Sequence, residues 1–206
     1  MNSGTASAEE RARRLVASYA ATVHIRSPSV LITHSWDGPC YEALPHRIEI
    51  DEGTLALPDA PMCAVIAHEV GHATQRRALL LDLALTGLGL AALIAMPCLI
   101  FAMSGGDDLW RVSVPGMALL LTLVAFMRAT RPRVAQRILA LELDADAKAA
   151  RLCGAASTIC ALELRSNGQC LDATRLEALR AILRREGGHP PNAEGAQLSV
   201  CDQHRA

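Results

Sequence analysis

Between Leu79 and Met103 the chain carries 25 residues with a single charge, Asp82. Wound as an α-helix, such a run is roughly 37 Å long, more than the ~30 Å hydrocarbon core of a bilayer. A second run, Val112 to Met127, has 16 residues and no charge. It reaches spanning length if Leu109 and Trp110 join it and Arg111 extends toward the headgroups. The competing arrangement is a pair of buried helices in a soluble protein. A chain of 206 residues has little other mass with which to enclose two such runs.

SGGDDLWR (104–111) lies between the runs and reads as a tight polar loop. The two runs therefore predict a transmembrane hairpin, 79–103 and 109–127. Pro97 and Pro115 are compatible with it, because packing in a membrane can re-satisfy the carbonyls they free. Arg76 and Arg77 precede the first run, and Arg128, Arg131, Arg133 and Arg137 follow the second. The loop has Arg111 against Asp107 and Asp108. Six basic residues against one place both chain ends in the cytosol and the loop outside, in an inner or plasma membrane. The polar MNSGTASAEERARR start shows no export signal.

Composition narrows the rest. Hydrophobic residues are 51% of the chain but aromatics only 3%, so Ala and Leu supply the apolar mass and favour helix. A net charge of -1 gives no reason to expect a nucleic-acid partner. The seven cysteines (40, 63, 98, 153, 160, 170, 201) are odd in number and without CxxC spacing, which suits a reducing compartment and structural roles.

The fold class expected is mainly α (α+β). Residues 9–23 read as an amphipathic helix. Val30–Thr33 and His46–Asp51 read as strands, with Thr54–Leu57 pairing back as a hairpin. The Pro-rich 58–61 segment opens a helix through 62–77 that continues into the first span. Pro132 opens another, which Gly154 stops, and Asp172 caps a last one. The organisation is an N-terminal helix and linker (1–29), a membrane-embedded domain (30–186) and a disordered tail (187–206).

The chemistry sits at His68-Glu69-Val70-Gly71-His72. Positions i and i+4 share a helix face, so His68 and His72 can grip one metal ion. Imidazole suits Zn2+, and Glu69 between them can act as general base toward a zinc-bound water. Gly71 costs a helix about 1 kcal/mol relative to Ala, which points to close packing beside the site. On the helix after the second span, Glu142 and Asp146 are again four apart. Glu142 can complete the metal site while Asp146 accepts a hydrogen bond from a ligating imidazole. Asp144 points elsewhere, toward solvent. The strand at 46–51 offers an edge for an extended substrate, or is simply structural. The bland alternative for the whole motif is a chance pair of surface histidines.

HRIEIDEGTLALPDAPMCAVIAHEVGHATQ, followed by two spans and a Glu-bearing helix, resembles the membrane-bound neutral zinc metallopeptidases of the zinc-dependent peptidase 2 type. ELDAD (142–146) is similar to the ExxAD of the broader membrane peptidases related to the CAAX prenyl and HtpX-type proteases. The resemblance covers about residues 44–151. It implies a gluzincin-like site with one Zn2+ on His68, His72 and Glu142, Glu69 as base and Asp146 behind the ligands. It further implies a membrane endopeptidase acting on peptide or protein substrates at the cytosolic face. A zinc-binding membrane scaffold without turnover and a soluble helical protein are the alternatives.

Overall fold

A computed structural model describes residues 3–34, 38–103, 109–166 and 173–187. The order is α1 (Ser3–Thr22), β1 (Ser29–Thr33), β2 (Cys40–Glu42), β3 (Arg47–Asp51), α2 (Glu52–Leu55), α3 (Asp59–Thr74), α4 (Arg76–Met103), α5 (Leu109–Cys153), α6 (Ala155–Ser166) and α7 (Ala173–Arg185). The chain divides into two units. One joins Met1–Arg76 to Leu141–Ala206, and the other is Arg77–Ala140.

The first unit is built around α3. Ala12, Val16 and Ala20 recur every four residues and give α1 a buried stripe. Ile48 and Ile50 alternate on β3 and point to one face of the sheet. Met62, Ile66 and Val70, again four apart, fill the space between them, so α1, the sheet and α3 share one core. The opposite side of α3 buries Ala64 and Val65 with Ala161 of α6. A helix covered on several sides has to be apolar nearly all round, as CAVIAHEVG is. Ala150, Ala155, Ile159, Leu179 and Leu183 then join the end of α5 to α6 and α7.

Three expectations are corrected in this unit. Thr54–Leu57 is not a strand: the Asp51 side chain accepts from the Thr54 backbone N–H and caps the helical turn α2. β3 instead forms a hairpin with the preceding β2 and lies parallel to β1. The order β1-β3-β2 leaves β3 central, so the 46–51 strand has no free edge for a substrate. The helix through 62–77 does not run unbroken into the apolar run. α3 ends at Thr74, where the Gln75 N–H bonds His72 O at 2.9 Å, and α4 begins at Arg76.

In the second unit the long apolar side chains of α4 face outward, among them Leu81, Leu83, Leu85, Leu88, Leu90 and Ile94. Among the described residues one segment, Arg76–Met96, is long and apolar enough to cross a membrane. The run 112–127 is helical throughout, but as the early part of the 45-residue α5. Pro132 does not open a new helix. It forfeits one backbone bond inside a continuous one, and Gly154, at φ +86°, ends it. Arg137 pairs with Asp82 at 2.8 Å, which ties α5 to α4. The 104–108 loop, Asp172 and the tail from 188 onward lie outside the described residues.

Candidate active site

α3 and α5 meet with almost nothing between their backbones. A Cβ on Gly71 would stand 2.9 Å from Ala145 Cα and 3.0 Å from its carbonyl oxygen. The approach places the face of α3 bearing His68 and His72 against the face of α5 bearing Glu142 and Asp146. His68 Nε2 lies 3.1 Å from His72 Nε2. Glu142 Oε2 is 3.5 Å from His68 Nε2, and its Oε1 is 3.4 Å from His72 Nε2.

Neighbours fix the imidazoles. His68 Nδ1 is 2.8 Å from Asp146 Oδ1 and donates to it. His72 Nδ1 is 3.1 Å from Gln75 Oε1. The Gln75 amide cannot be turned round, because its nitrogen donates to Leu141 O at 2.9 Å and Asp144 Oδ2 at 2.7 Å. Its oxygen therefore accepts from His72 Nδ1–H. With both Nδ1 atoms protonated, two Nε2 lone pairs face one another beside a carboxylate. Only a cation between them, a proton or a metal ion, makes that arrangement favourable.

Without a metal ion, the charges of the site answer to the proton. Burial alone would lower the His68 pKa, but the hydrogen bonds to Asp146 and Glu142 prevail and push it up to about 9. The same bonds from His68 and His72 hold Glu142 well below the usual carboxylate range, against its burial. Asp146 is opposed by burial yet ends lowered, through Arg175 and His68. Arg175 of α7 grips Asp146 with both arms of its fork, Nε to Oδ2 at 2.7 Å and Nη2 to Oδ1 at 2.8 Å. Its Nη1 reaches Glu142 Oε2 at 3.0 Å. Glu69 is buried, which raises its carboxyl against the lowering charges of His68, His72 and Arg165. Arg165 Nη1 stands 4.0 Å from Glu69 Oε1.

One ligand atom from each of His68, His72 and Glu142 falls within 4.8 Å of the others, so the group could hold a metal ion. Gaps of 3.1 to 3.5 Å suit the edges of a tetrahedron with bonds of about 2 Å, roughly 3.3 Å long. Two imidazoles and a carboxylate are also the donor types zinc accepts. The family model of Peptidase family M48 matches residues 8–167. The chain belongs to that family. A search of curated proteins and a search of solved structures each found no match. M48 membership makes the chain a metallopeptidase, a hydrolase of peptide or protein substrates in a family that depends on zinc. The match is to M48 as a whole and separates none of the narrower groups the sequence resembles.

Of the five residues singled out from the sequence, the structure brings His68, His72, Glu142 and Asp146 together, and buries Glu69 next to His68 on α3. Asp144 is not idle, since it holds Gln75 and pairs with Lys148. Gln75 stands three residues after His72, a spacing that places it on the same helix face and was readable in HEVGHATQ. Arg175 left no such signal. It is one of four Arg on α7, beyond the stretch the family matches, and only the fold selects it.

Proposed function

We propose that this M48 peptidase is a zinc endopeptidase cleaving peptide bonds at the cytosolic face of a membrane. The observation that carries the reading is the convergence of two imidazole Nε2 atoms and the Glu142 carboxylate, within 3.5 Å of one another, beside a buried Glu69. In this reading His68, His72 and Glu142 hold about one zinc ion per chain. Zinc held there supplies a Lewis acid that acidifies water and polarises a carbonyl.

The chain's own residues do the rest. Glu69 takes a proton from the attacking water and returns it to the leaving amine, and its burial favours the proton-accepting step by weakening the acid. Asp146 and Gln75 keep the two Nδ1 protons in place, so each Nε2 stays a donor to the metal. Arg175 keeps Asp146 and Glu142 aligned and anionic. β2 packs beside α3 and has one edge unpaired among the described residues, so an extended substrate can add there as a further strand.

The membrane half of the proposal rests on α4 and on the second apolar run in α5. The Arg137–Asp82 pair supports an antiparallel crossing, because it matches the early part of one helix to the later part of the other. Arg-rich flanks favour both termini and the active site in the cytosol. The peptidase domain runs over 30–186, with α1 contributing Ala12 and Val16 to its core.

The test is Glu69→Gln in detergent-purified protein, with metal analysis and cleavage of a peptide library. Zinc should stay near one per chain while hydrolysis falls at least about a hundredfold. Cleavage at the wild-type rate would remove Glu69 from the mechanism. Hydrolysis that persists in His68→Ala after its zinc is lost would show that the metal takes no part in the reaction.

A further inference from the structure

Arg165, in the last turn of α6, reaches toward the carboxylate that the reading above makes the general base. Its Nη1 stands 4.0 Å from Glu69 Oε1, and its side chain is 40% exposed while that of Glu69 is buried. Gly38, just before β2, makes room for it. A Cβ on Gly38 would lie 2.9 Å from Arg165 Nη2, and the residue sits at φ +83°, where L side chains are strained. The guanidinium therefore rests between the base and the start of β2. That strand packs beside α3 and has one edge unpaired among the described residues. Cys40, the first residue of β2, senses the same base: burial pushes its thiol up, and the charges of Glu49 and Glu69 add to the effect.

A purely structural ion pair is the plain alternative, and two features argue past it. One is the separation. At 4.0 Å the pair is too long for a hydrogen bond and acts through charge alone, so the N–H donors of Arg165 are not committed to Glu69. A hydrogen-bonded pair would occupy the oxygen that has to accept a proton. The other is exposure. Arg175, the second arginine of the site, is gripped by Asp146 and Glu142 and is only 18% exposed. Arg165 is open to whatever enters beside Glu69.

We propose that Arg165 donates to the carbonyl oxygen of the peptide bond under attack, where negative charge develops. The proposal rests on the endopeptidase reading above. Glu69 takes one proton from water, the water oxygen bonds to the carbonyl carbon, and the π pair of the carbonyl moves onto its oxygen. The negative charge has then passed from Glu69 to that oxygen. Arg165, a permanently charged fork on a long stem, can follow it. On collapse the pair returns to the carbonyl of the new carboxyl group, the C–N bond breaks, and the proton on Glu69 goes to the amine. Arg165 stays a cation throughout. Its contact is stronger in the transition state than with the resting peptide, and only contacts of that kind raise kcat.

The experiment uses the full chain in detergent and a peptide that the wild type cuts, taken from a library. Arg165→Ala should lower kcat about a hundred- to a thousandfold, the usual effect of removing one such donor, with KM kept within about threefold. Its zinc content should match the wild type's. Binding gives a readout apart from turnover. A phosphinic analogue of the peptide is tetrahedral and anionic where the carbonyl would be. Its affinity should fall in Arg165→Ala by about the factor lost in kcat/KM. The peptide itself, held uncut by Glu69→Gln, should bind within about threefold whether or not Arg165 is present. Arg165→Lys keeps the charge and should recover part of the loss. An unchanged kcat in Arg165→Ala overturns the proposal and leaves the endopeptidase reading intact. Equal losses of affinity for peptide and analogue also overturn it, since Arg165 would then only grip the substrate. No recovery by Lys, with a lowered denaturation midpoint in both variants, makes Arg165 a structural residue and overturns it as well. A wild type that cuts no peptide in the library overturns the endopeptidase reading and the proposal together.

Discussion

Gly71 of α3 lies in backbone contact with Ala145 of α5, so the two halves of the metal site are held together at a point where no side chain fits. Gly71→Ala tests that contact against helix propensity. Propensity alone favours Ala by about 1 kcal/mol. The added methyl would stand 2.9 Å from Ala145 Cα and 3.2 Å from its Cβ, so one helix must move. Overpacking of this kind typically costs about 1–3 kcal/mol. The variant should lose stability to denaturant and bind zinc more weakly than the wild type. A variant as stable as the parent, with unchanged zinc affinity, would mean that the helices do not meet this closely.

Gln75 transmits the position of α5 to His72. Its oxygen accepts from His72 Nδ1, and its nitrogen donates to Leu141 O and Asp144. Gln75→Ala frees the imidazole to rotate and to change tautomer. Losses behind a ligand usually cost roughly 10–100-fold in metal affinity or activity. Asp144→Ala should show a weaker version of the same defect, because Leu141 O still orients the amide. Zinc affinities of the two variants, measured side by side, check the order. A larger loss at Asp144 than at Gln75 would show that Asp144 acts by another route.

The parts of this site that the sequence makes legible obey one rule, the helical repeat. His68 and His72, and Glu142 and Asp146, are each four apart, and Gln75 could have been added by the same reasoning. What was illegible depends on contacts between distant segments or on local competition. Thr54–Leu57 follows the turn-like Asp51-Glu52-Gly53, as the return strand of a hairpin would, but Asp51 offers the Thr54 N–H a cap, and a helical turn results. Pro132 looks like a helix start, yet the residues around it are good helix formers and outweigh one missing bond. β3 is legible as a strand in its alternation. Its place at the centre of the sheet depends on β1 and β2, which its own residues do not encode.

Arg175 belongs to the same illegible class, and its removal should be felt by two carboxylates. Asp146 is almost wholly buried, and Arg175 is its bidentate partner. Breaking a fully buried pair from one side costs about 3–5 kcal/mol. Arg175 keeps some solvent contact, so Arg175→Ala should cost somewhat less, on the order of 2–3 kcal/mol. Arg175→Lys should restore little, since a single ammonium cannot satisfy both Asp146 oxygens and Glu142 in one plane. Denaturation midpoints of the two variants, with zinc affinity alongside, decide this. Full recovery by Lys would show that only the charge is required.

Asp82 is the one charge in the first apolar run, and its pairing with Arg137 makes a testable statement about how α4 and α5 cross. Arg137 stands ten residues past Met127, about 15 Å along α5, so the pair lies beyond the end of the second apolar run. Asp82 and Arg137 are of opposite charge and only partly exposed, so the two attract one another. Asp82→Arg leaves two cations facing each other, and Arg137→Asp leaves two anions, so each single variant should be less stable in lipid than the parent. The exchange Asp82→Arg with Arg137→Asp restores opposite charges at the same place and should recover most of the loss. A double-mutant cycle of thermal stabilities in vesicles should then show coupling of about 0.5–3 kcal/mol, the range found for residues in contact. If the exchange is no better than the sum of the two single losses, the two helices do not lie side by side at this level. The antiparallel crossing would then have to be given up, whatever the metal site proves to do.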